Sequence, residues 1–547
     1  MCHKRTIDLL FPVLLAFIIA APLLAHAELQ RVRVGGGIPP ARLVVTEQGV
    51  NPDDGKDDSA ALQTILDSVK AGTEIIFPQG TYEISRAMNV RSNTELTGTV
   101  KGGPVLRFVG AAPCPLLEIR NGSHVNVFDL TLDAAMNPNA TQGIVASQSS
   151  HVFIQDVTLR NFSAREGFGP HAIFFSDGVT DSVVLHCTIE DIGVDSPWGA
   201  GMRIAKGSSR NQMVGNTIRN TGRGGILCNE SSELLITKNV VSGSHGEGLG
   251  IELWGGCPKS VVEDNTLDHW LSVDKSPQTA IRRNKIGDRS GSIKAIGLEL
   301  VDSSDCVFTD NTVDGDQQIG ISISNTGPKE RIYWARNTIR NCVTWNAQIQ
   351  GEAGGATGHV FRQNTFEGAL LNDPKALYPG QGFGVRFNGD CRNILFLENR
   401  IIGNGHGAVQ TCGKNLDSLR FVRNTITGNK GPILTGPPGD NPCWSGNTAE
   451  NNADNTQPPD TPAACMFQIS ITGLPDPNRP RFHRFSCRAD DETHHLKHAL
   501  WDFGEGIPLT GLEVTRETAT PAPPRHITVL AWDENGMAAV ADSMAVP

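Results

Sequence analysis

Three carboxylates recur at the same place in three successive segments. They are Glu252 in Gly250-Ile251-Glu252-Leu253-Trp254, Asp274 in Leu271-Ser272-Val273-Asp274, and Glu299 in Gly297-Leu298-Glu299-Leu300. Apolar residues flank each at the two-residue period of a β-strand, which turns the carboxylate away from the core. On neighbouring strands about 4.8 Å apart, like charges crowd and repel. Such crowding shifts pKa values or calls for a cation or a substrate, and carboxylates with separated pKa values are the equipment of general acid–base cleavage. Glu252 and Glu299, two strands apart, would stand roughly 9–10 Å from each other, near the upper end of the separation in an inverting glycosidase pair. Asp274 between them would tune their pKa values. A single outward Glu is ordinarily a solvated charge. Repetition on three segments is what argues for a use.

The same alternation extends the strip in both directions. Arg203, Asn229, Trp254, Ser272, Ser322, Gln350, Glu352, Arg386 and Asn388 all fall at outward positions of comparable segments. Acids in the middle, an indole beside them and an arginine toward each end suit a glycan groove. His245 and Glu247 occupy the turn leading into the Glu252 segment. The segment ending at Asp274 is short and lacks a leading Gly. A slip of one residue would put Lys275 in its place and shift the reading from hydrolysis toward β-elimination of a uronate. In that alternative Ca²⁺ or an arginine would neutralise the substrate acid, and Arg203, Lys275 or Arg386 would take the proton. A non-catalytic glycan-binding rod is the third reading. No C-x-x-C metal spacing occurs, and the metal content is left open.

The elements that would hold this strip come from a repeat. Asn followed by two residues, the second of them apolar, recurs ten times: Asn216, Asn239, Asn265, Asn284, Asn311, Asn337, Asn364, Asn399, Asn424 and Asn447, a mean step of about 26 residues. Weaker copies precede them at Leu130-Thr131-Leu132, Val157-Thr158-Leu159 and Cys187-Thr188-Ile189. Within each step lie two or three short alternating strands separated by Gly, Asn, Asp or Ser. Strands too short to make a sheet alone fit one coil of a parallel β-helix, in which each coil pairs with the next. An Asn at each inward turn can bond the backbone and the Asn one coil away, forming a ladder. About thirteen coils are expected between Leu130 and Thr448. Asp57-Asp58-Ser59 opens a helix from Ala60 to about Val69 that would cap the open end of the solenoid.

Asp57-Asp58-Ser59-Ala60-Ala61-Leu62-Gln63, then Phe77-Pro78-Gln79-Gly80-Thr81-Tyr82, then Asn93-Thr94-Glu95-Leu96-Thr97-Gly98 resembles the N-terminal cap of the pectin-lyase-like superfamily. That resemblance implies a single-stranded right-handed parallel β-helix of the kind found in lyases, polygalacturonase-like hydrolases, epimerases and phage tailspikes, and it implies a polysaccharide partner. Gly405-His406-Gly407 matches a short polygalacturonase motif, but that family's paired Asp-Asp and downstream Arg-Ile-Lys are missing in register. Beyond Asn452 the repeat phrase disappears, and Trp501-Asp502-Phe503-Gly504-Glu505-Gly506 resembles the signature of PKD modules, which are immunoglobulin-like β-sandwiches. Glu505 stands where that signature has Asp. The fold expected is therefore all-β: a β-helix over 28–452, a linker over 453–465 and a PKD-like sandwich over 466–547. Such a module would serve as a spacer or as a cell-surface or matrix contact. The linker predicts few contacts between the two parts.

Lys4 and Arg5, the apolar stretch from Leu9 to Leu24 and Ala25-His26-Ala27 predict a signal peptide over 1–27, and with it a secreted or periplasmic protein. The net charge of −11 argues against a nucleic-acid partner. The twelve cysteines form no disulfide framework; Cys443 and Cys465 flank a loop that an oxidising compartment would let them bridge, though spacing alone pairs no two of them.

Overall fold

The computed structural model describes residues 41–547 apart from 246–247, 269, 288–295, 316, 325, 462–464, 519–523, 525 and 545–547. The signal-peptide expectation and Glu247 lie outside the described residues.

Three parallel sheets of 16, 14 and 15 strands run the length of the solenoid, each strand pairing with its counterpart one coil later, for about fourteen turns. Between Thr131–Asp133 and Thr448–Glu450 the 15-stranded sheet contributes thirteen strands, the number read from the repeat. All ten repeat asparagines stack in one column. The amide of Asn216 donates to the Oδ1 of Asn239 at 2.9 Å, Asn239 to Asn265 at 2.9 Å, and Asn265 to Asn284 at 3.0 Å, and the chain continues to Asn424 donating to Asn447 at 2.9 Å. The residue before each Asn lies in the left-handed region, as at Asp264, Arg283, Asp310, Arg336, Glu398 and Arg423, while Gly215 and Gly446 take the same place without strain. A non-Gly residue there costs on the order of 1 kcal/mol. The ladder offsets that cost, because each buried amide satisfies both a backbone carbonyl and the next Asn. These left-handed residues also carry charges that pair between coils, such as Arg283 with Asp264 at 2.9 Å and Arg336 with Asp310 at 2.8 Å.

Inside, one continuous apolar core runs from Val45 to Trp444. Its later coils stack an aromatic file: Phe308 on Trp334 (4.0 Å between centroids), Phe361 on Phe396 (4.5 Å) and Phe421 on Trp444 (4.4 Å). The helix Ser59–Ser68 covers the first coils with buried Leu62, Ile65 and Leu66. Its first turn is capped by Asp57, whose Oδ1 accepts the Ser59 N–H at 3.0 Å, rather than by the side chain of Asp58.

After the last coil the chain forms two small antiparallel sheets: Ile469–Asp476, Arg479–Ala489 and Glu513–Glu517 in one, and Leu509–Thr510, Leu496–Asp502, His526–Asp533 and Ala538–Met544 in the other. Trp501 is fully buried between them and donates its indole N–H to the Gly511 carbonyl at 2.7 Å. Cys443 and Cys465 are joined in a disulfide, tying the last strand of the 16-stranded sheet to the start of this segment. The expectation of few contacts does not hold. Leu500, Leu530 and Trp532 pack onto the outward residues Val307, Tyr333, Val360, Leu395 and Val422 of the 16-stranded sheet. Arg282, buried in that interface, bonds the Asp502 carboxylate at 2.7 Å and the Gly506 carbonyl at 2.6 Å. Strands with apolar residues on both faces are what cause this docking, since their outer row would otherwise be left in water.

Candidate functional site

The three carboxylates stand on the outer face of the 14-stranded sheet. Strand register places Arg203, Leu227, Glu252, Ser272, Glu299, Ser322, Gln348 and Arg386 in one file running along the solenoid. A second file, two residues further along each strand, carries Asn229 beside Trp254, Asp274 beside Val301, and Gln350 beside Asn388. Glu252 and Glu299 therefore share one file with Ser272 between them, two strand steps or roughly 9–10 Å apart. Asp274 belongs to the second file. It keeps its outward place without a leading Gly, and Lys275 follows it in the turn with a φ of 49°.

These outward charges are not solvated. Arg203 is 6 % exposed, Glu252 8 % and Asp274 9 %, so the bland reading of a wet polar face fails here. Each carboxylate is held differently. Glu252 accepts from Arg223 Nη2 at 3.0 Å. Glu299 Oε2 accepts from the Ser272 hydroxyl at 2.7 Å and from the Trp270 indole N–H at 3.0 Å. Burial pushes the Glu299 carboxyl above the usual carboxylate range; those two hydrogen bonds pull it back, and the charges of Glu252 and Asp274 add to the rise. Burial also raises Asp274, opposed by the Gly255 N–H donating to its Oδ2 at 3.1 Å. One carboxylate paired with a cation beside another biased toward its neutral acid is an arrangement suited to proton donation and acceptance.

The remaining expected residues distribute along the groove. Trp254 is 45 % exposed, on the side of Asp274. At the far end Arg386 lies over the Trp345 ring at 4.6 Å, and Trp345 in turn packs against Tyr378 at 5.4 Å. The connection carrying Tyr378 is pinned by Gln318, which donates to the Lys375 carbonyl at 2.7 Å and accepts from the Leu377 N–H at 3.0 Å. Asn388 donates to Glu352 at 2.7 Å. Glu352 itself is not on the sheet: the strand Trp345–Gln350 ends before Gly351, and Glu352 sits in the following turn. Gln348 takes the central file position instead. His245 is an exposed turn residue ahead of the strand Leu249–Trp254. Leu227 interrupts the polar file between Arg203 and Glu252 and packs with Ala200, Leu249 and Trp270.

Trp270 and Arg223, the two side chains that grip the carboxylates, were not anticipated. Both immediately precede the strands Leu271–Asp274 and Gly224–Asn229, where strand alternation no longer assigns a face. Among the described residues no group of three or more His, Cys, Asp or Glu side chains is placed to hold a metal ion.

A family model described as right handed beta helix region matches residues 116–269 and 271–455. Mouse (Mus musculus) fibrocystin is 18 % identical over 222 residues, which is 40 % of this chain and 5 % of fibrocystin, so the chain spans a small fraction of that relative. Among solved structures the chain is similar to the Dettilon tailspike protein, with 13 % identity, a TM-score of 0.40, and 92 % of this chain and 79 % of that one covered. It is also similar to the Yersinia enterocolitica family 28 exopolygalacturonase, with 12 % identity, a TM-score of 0.33, and 77 % and 79 % covered. At these identities the likeness is one of fold alone.

Proposed function

The chain belongs to the right-handed β-helix family, and on that scaffold we propose that it is a secreted polysaccharide-degrading enzyme, a glycoside hydrolase working with Glu252 and Glu299. The observation that carries this reading is the pair itself. Two outward carboxylates share one file, Glu252 buried and bound to Arg223, Glu299 half-buried and held by Ser272 and Trp270 with its pKa raised. Glu299 is the general acid that protonates the leaving oxygen, and Glu252 is the base that activates water. Asp274 adds negative charge that keeps the Glu299 proton in place. Trp254 offers an exposed indole to a sugar ring. Asn229, Gln350, Asn388 and Arg386 extend the groove to further sugars. The C-terminal module, PKD-like in its Trp501 to Gly506 sequence, serves as a contact to cell surface or matrix.

The arginines at the ends of the file favour one alternative, β-elimination of a uronate, with Ca²⁺ or an arginine on the substrate acid. A panel of plant, algal and bacterial polysaccharides separates the readings. New reducing ends without the ultraviolet absorbance of an unsaturated uronate support hydrolysis. That absorbance supports the lyase, and binding without product leaves a glycan-binding rod. With an active substrate in hand, Glu252→Gln and Glu299→Gln should each fold without loss of melting temperature and lower turnover by at least about 10²-fold. Near wild-type rates in both would remove the carboxylate pair from the mechanism.

A further inference from the structure

Four strand steps from Glu299, the same groove contains an arginine that the protein leaves unanswered. Arg203 is 6 % exposed, yet its Nε and Nη1 have no hydrogen-bond acceptor among the described residues. Several other solenoid arginines are met by carboxylates: Arg210 by Asp181 at 2.7 Å on both oxygens, Arg331 by Asp305 at 2.9 Å, Arg340 by Asp314 at 2.7 Å. A chain with 58 acidic residues had ample means to pair Arg203 as well. A buried guanidinium without an acceptor is costly, and an acceptor supplied from outside removes that cost.

The surroundings define what that acceptor is. Phe168 covers the guanidinium face at 4.6 Å, and Trp198 lies 6.0 Å from Arg203 and 4.7 Å from Arg223. Both rings are exposed, 49 % and 37 %, so they border the groove rather than fill the core. His171, fully buried beside Phe168 at 4.7 Å, is held neutral: burial first, then the charge of Arg203, push it down to about 3. Arg165, whose charge also reaches His171, has its Nη1 buried without an acceptor. A guanidinium with free edge donors, further arginines and flanking aromatic rings suits a sugar that carries an oxyanion.

We propose that Arg203, with His171, Phe168 and Trp198 around it, forms a subsite for the carboxylate or sulfate group of an acidic glycan. This deepens the glycan-groove reading and rests on it. Arg203 lies two strand steps, roughly 10 Å, from Glu252, so the acidic sugar is anchored beside the reacting bond rather than on it.

Calorimetric titration of the full chain with three oligosaccharide sets tests this: uronate oligomers, the same oligomers after carboxyl reduction, and sulfated neutral oligomers. Turnover is removed from the readout with Glu299→Gln. Acidic oligomers should bind at least tenfold more tightly than carboxyl-reduced ones, and binding should weaken with salt. Arg203→Met should abolish that preference, bringing the affinity for acidic oligomers down to that of the same variant for carboxyl-reduced ones. The ratio of uronate to sulfated binding tells which anion the subsite takes. Equal binding of acidic and reduced oligomers by the unmodified Arg203 site, or no binding of any acidic set, overturns the proposal without reliance on a variant that must fold. Because the readout is affinity, a preference that persists when no polysaccharide is cleaved would uphold the subsite and remove the hydrolase. Cleavage of neutral glycans alone would do the reverse.

Discussion

The outer faces of two sheets of the same solenoid have opposite fates. On the 16-stranded sheet, Val307, Tyr333, Val360 and Leu395 point outward and are covered by Leu500, Leu530 and Trp532. Charges caught there find protein partners. Arg282 has Asp502 and the Gly506 carbonyl, and even Arg420, whose Nε and Nη2 stay without acceptors, gives Nη1 to the carbonyls of Cys465 and Ala538. On the 14-stranded sheet the outward file carries charges, of which Arg203 and Glu252 are nearly as buried, and it is not covered by the C-terminal sheets. There Arg203 finds no acceptor, and Glu299 is held with a raised pKa. Burial that ends in satisfied contacts builds structure. On an open face, donors and protons left without partners are within reach of a ligand; under a docked sheet they are not.

The largest expected effect lies on the covered face. Asp502 and Arg282 have side chains 3 % and 1 % exposed. Asp502→Ala would strand the guanidinium in an apolar interface, at a cost of about 3–5 kcal/mol. Denaturant melts of the full chain should show it, and a loss below about 1 kcal/mol would mean the interface admits water. No comparable loss is expected from neutralising a carboxylate on the open face.

Glu299→Gln sharpens that contrast through pH. Burial raises the Glu299 pKa in the folded protein, and the charges of Glu252 and Asp274 add to it against the hydrogen bonds from Ser272 and Trp270. At pH values below the unfolded carboxyl pKa of about 4.3 the group is protonated in both states and costs nothing. As pH climbs through the higher folded pKa, the buried charge forms and stability is lost. Relative to the wild type, Glu299→Gln should therefore gain in melting temperature as pH rises through that window and stay level above it. A flat difference across pH would show that the carboxyl is solvated. In the enzyme reading, activity should fall over the same rise in pH, as the acid loses its proton.

Much of this was legible because the repeat is written in one residue type. Asn at an inward turn has a backbone reason to recur, so ten of them marked out the coil, while the register of the short strand ending at Asp274 stayed open to a slip of one residue until the strand pairing placed it. A second Asn ladder, Asn404 to Asn429 to Asn452, went unread because it spans only the last coils. What alternation could not reach lay just outside the strands: Arg223 and Trp270 ahead of them, and Glu352 beyond Gly351. Leu227 escaped because an apolar residue was assumed to face inward. The docking of the C-terminal sheets had a signal that composition of the linker hid. Tyr333-Trp334-Ala335 and Leu395-Phe396-Leu397 are apolar on both faces, as strands covered on both sides must be.

The smallest expected change in stability is also the one that tests where the groove ends. Trp254 is 45 % exposed at the end of the strand Leu249–Trp254, in the second file beside Asp274. An exposed indole with no core to leave should cost no more than about 0.5 kcal/mol when truncated to Ala. An indole on an open face beside carboxylates is nevertheless a surface on which a sugar ring stacks. Trp254→Ala should therefore raise KM several-fold on the active polysaccharide with kcat and melting temperature nearly unchanged, since stacking on a ring away from the reacting bond contributes to ground and transition states alike. Should KM stay at the wild-type value while Glu252→Gln abolishes turnover, the second file is outside the substrate path. The groove then narrows to the single file from Arg203 to Arg386, walled by Trp198 and Phe168 at one end and Tyr378 at the other.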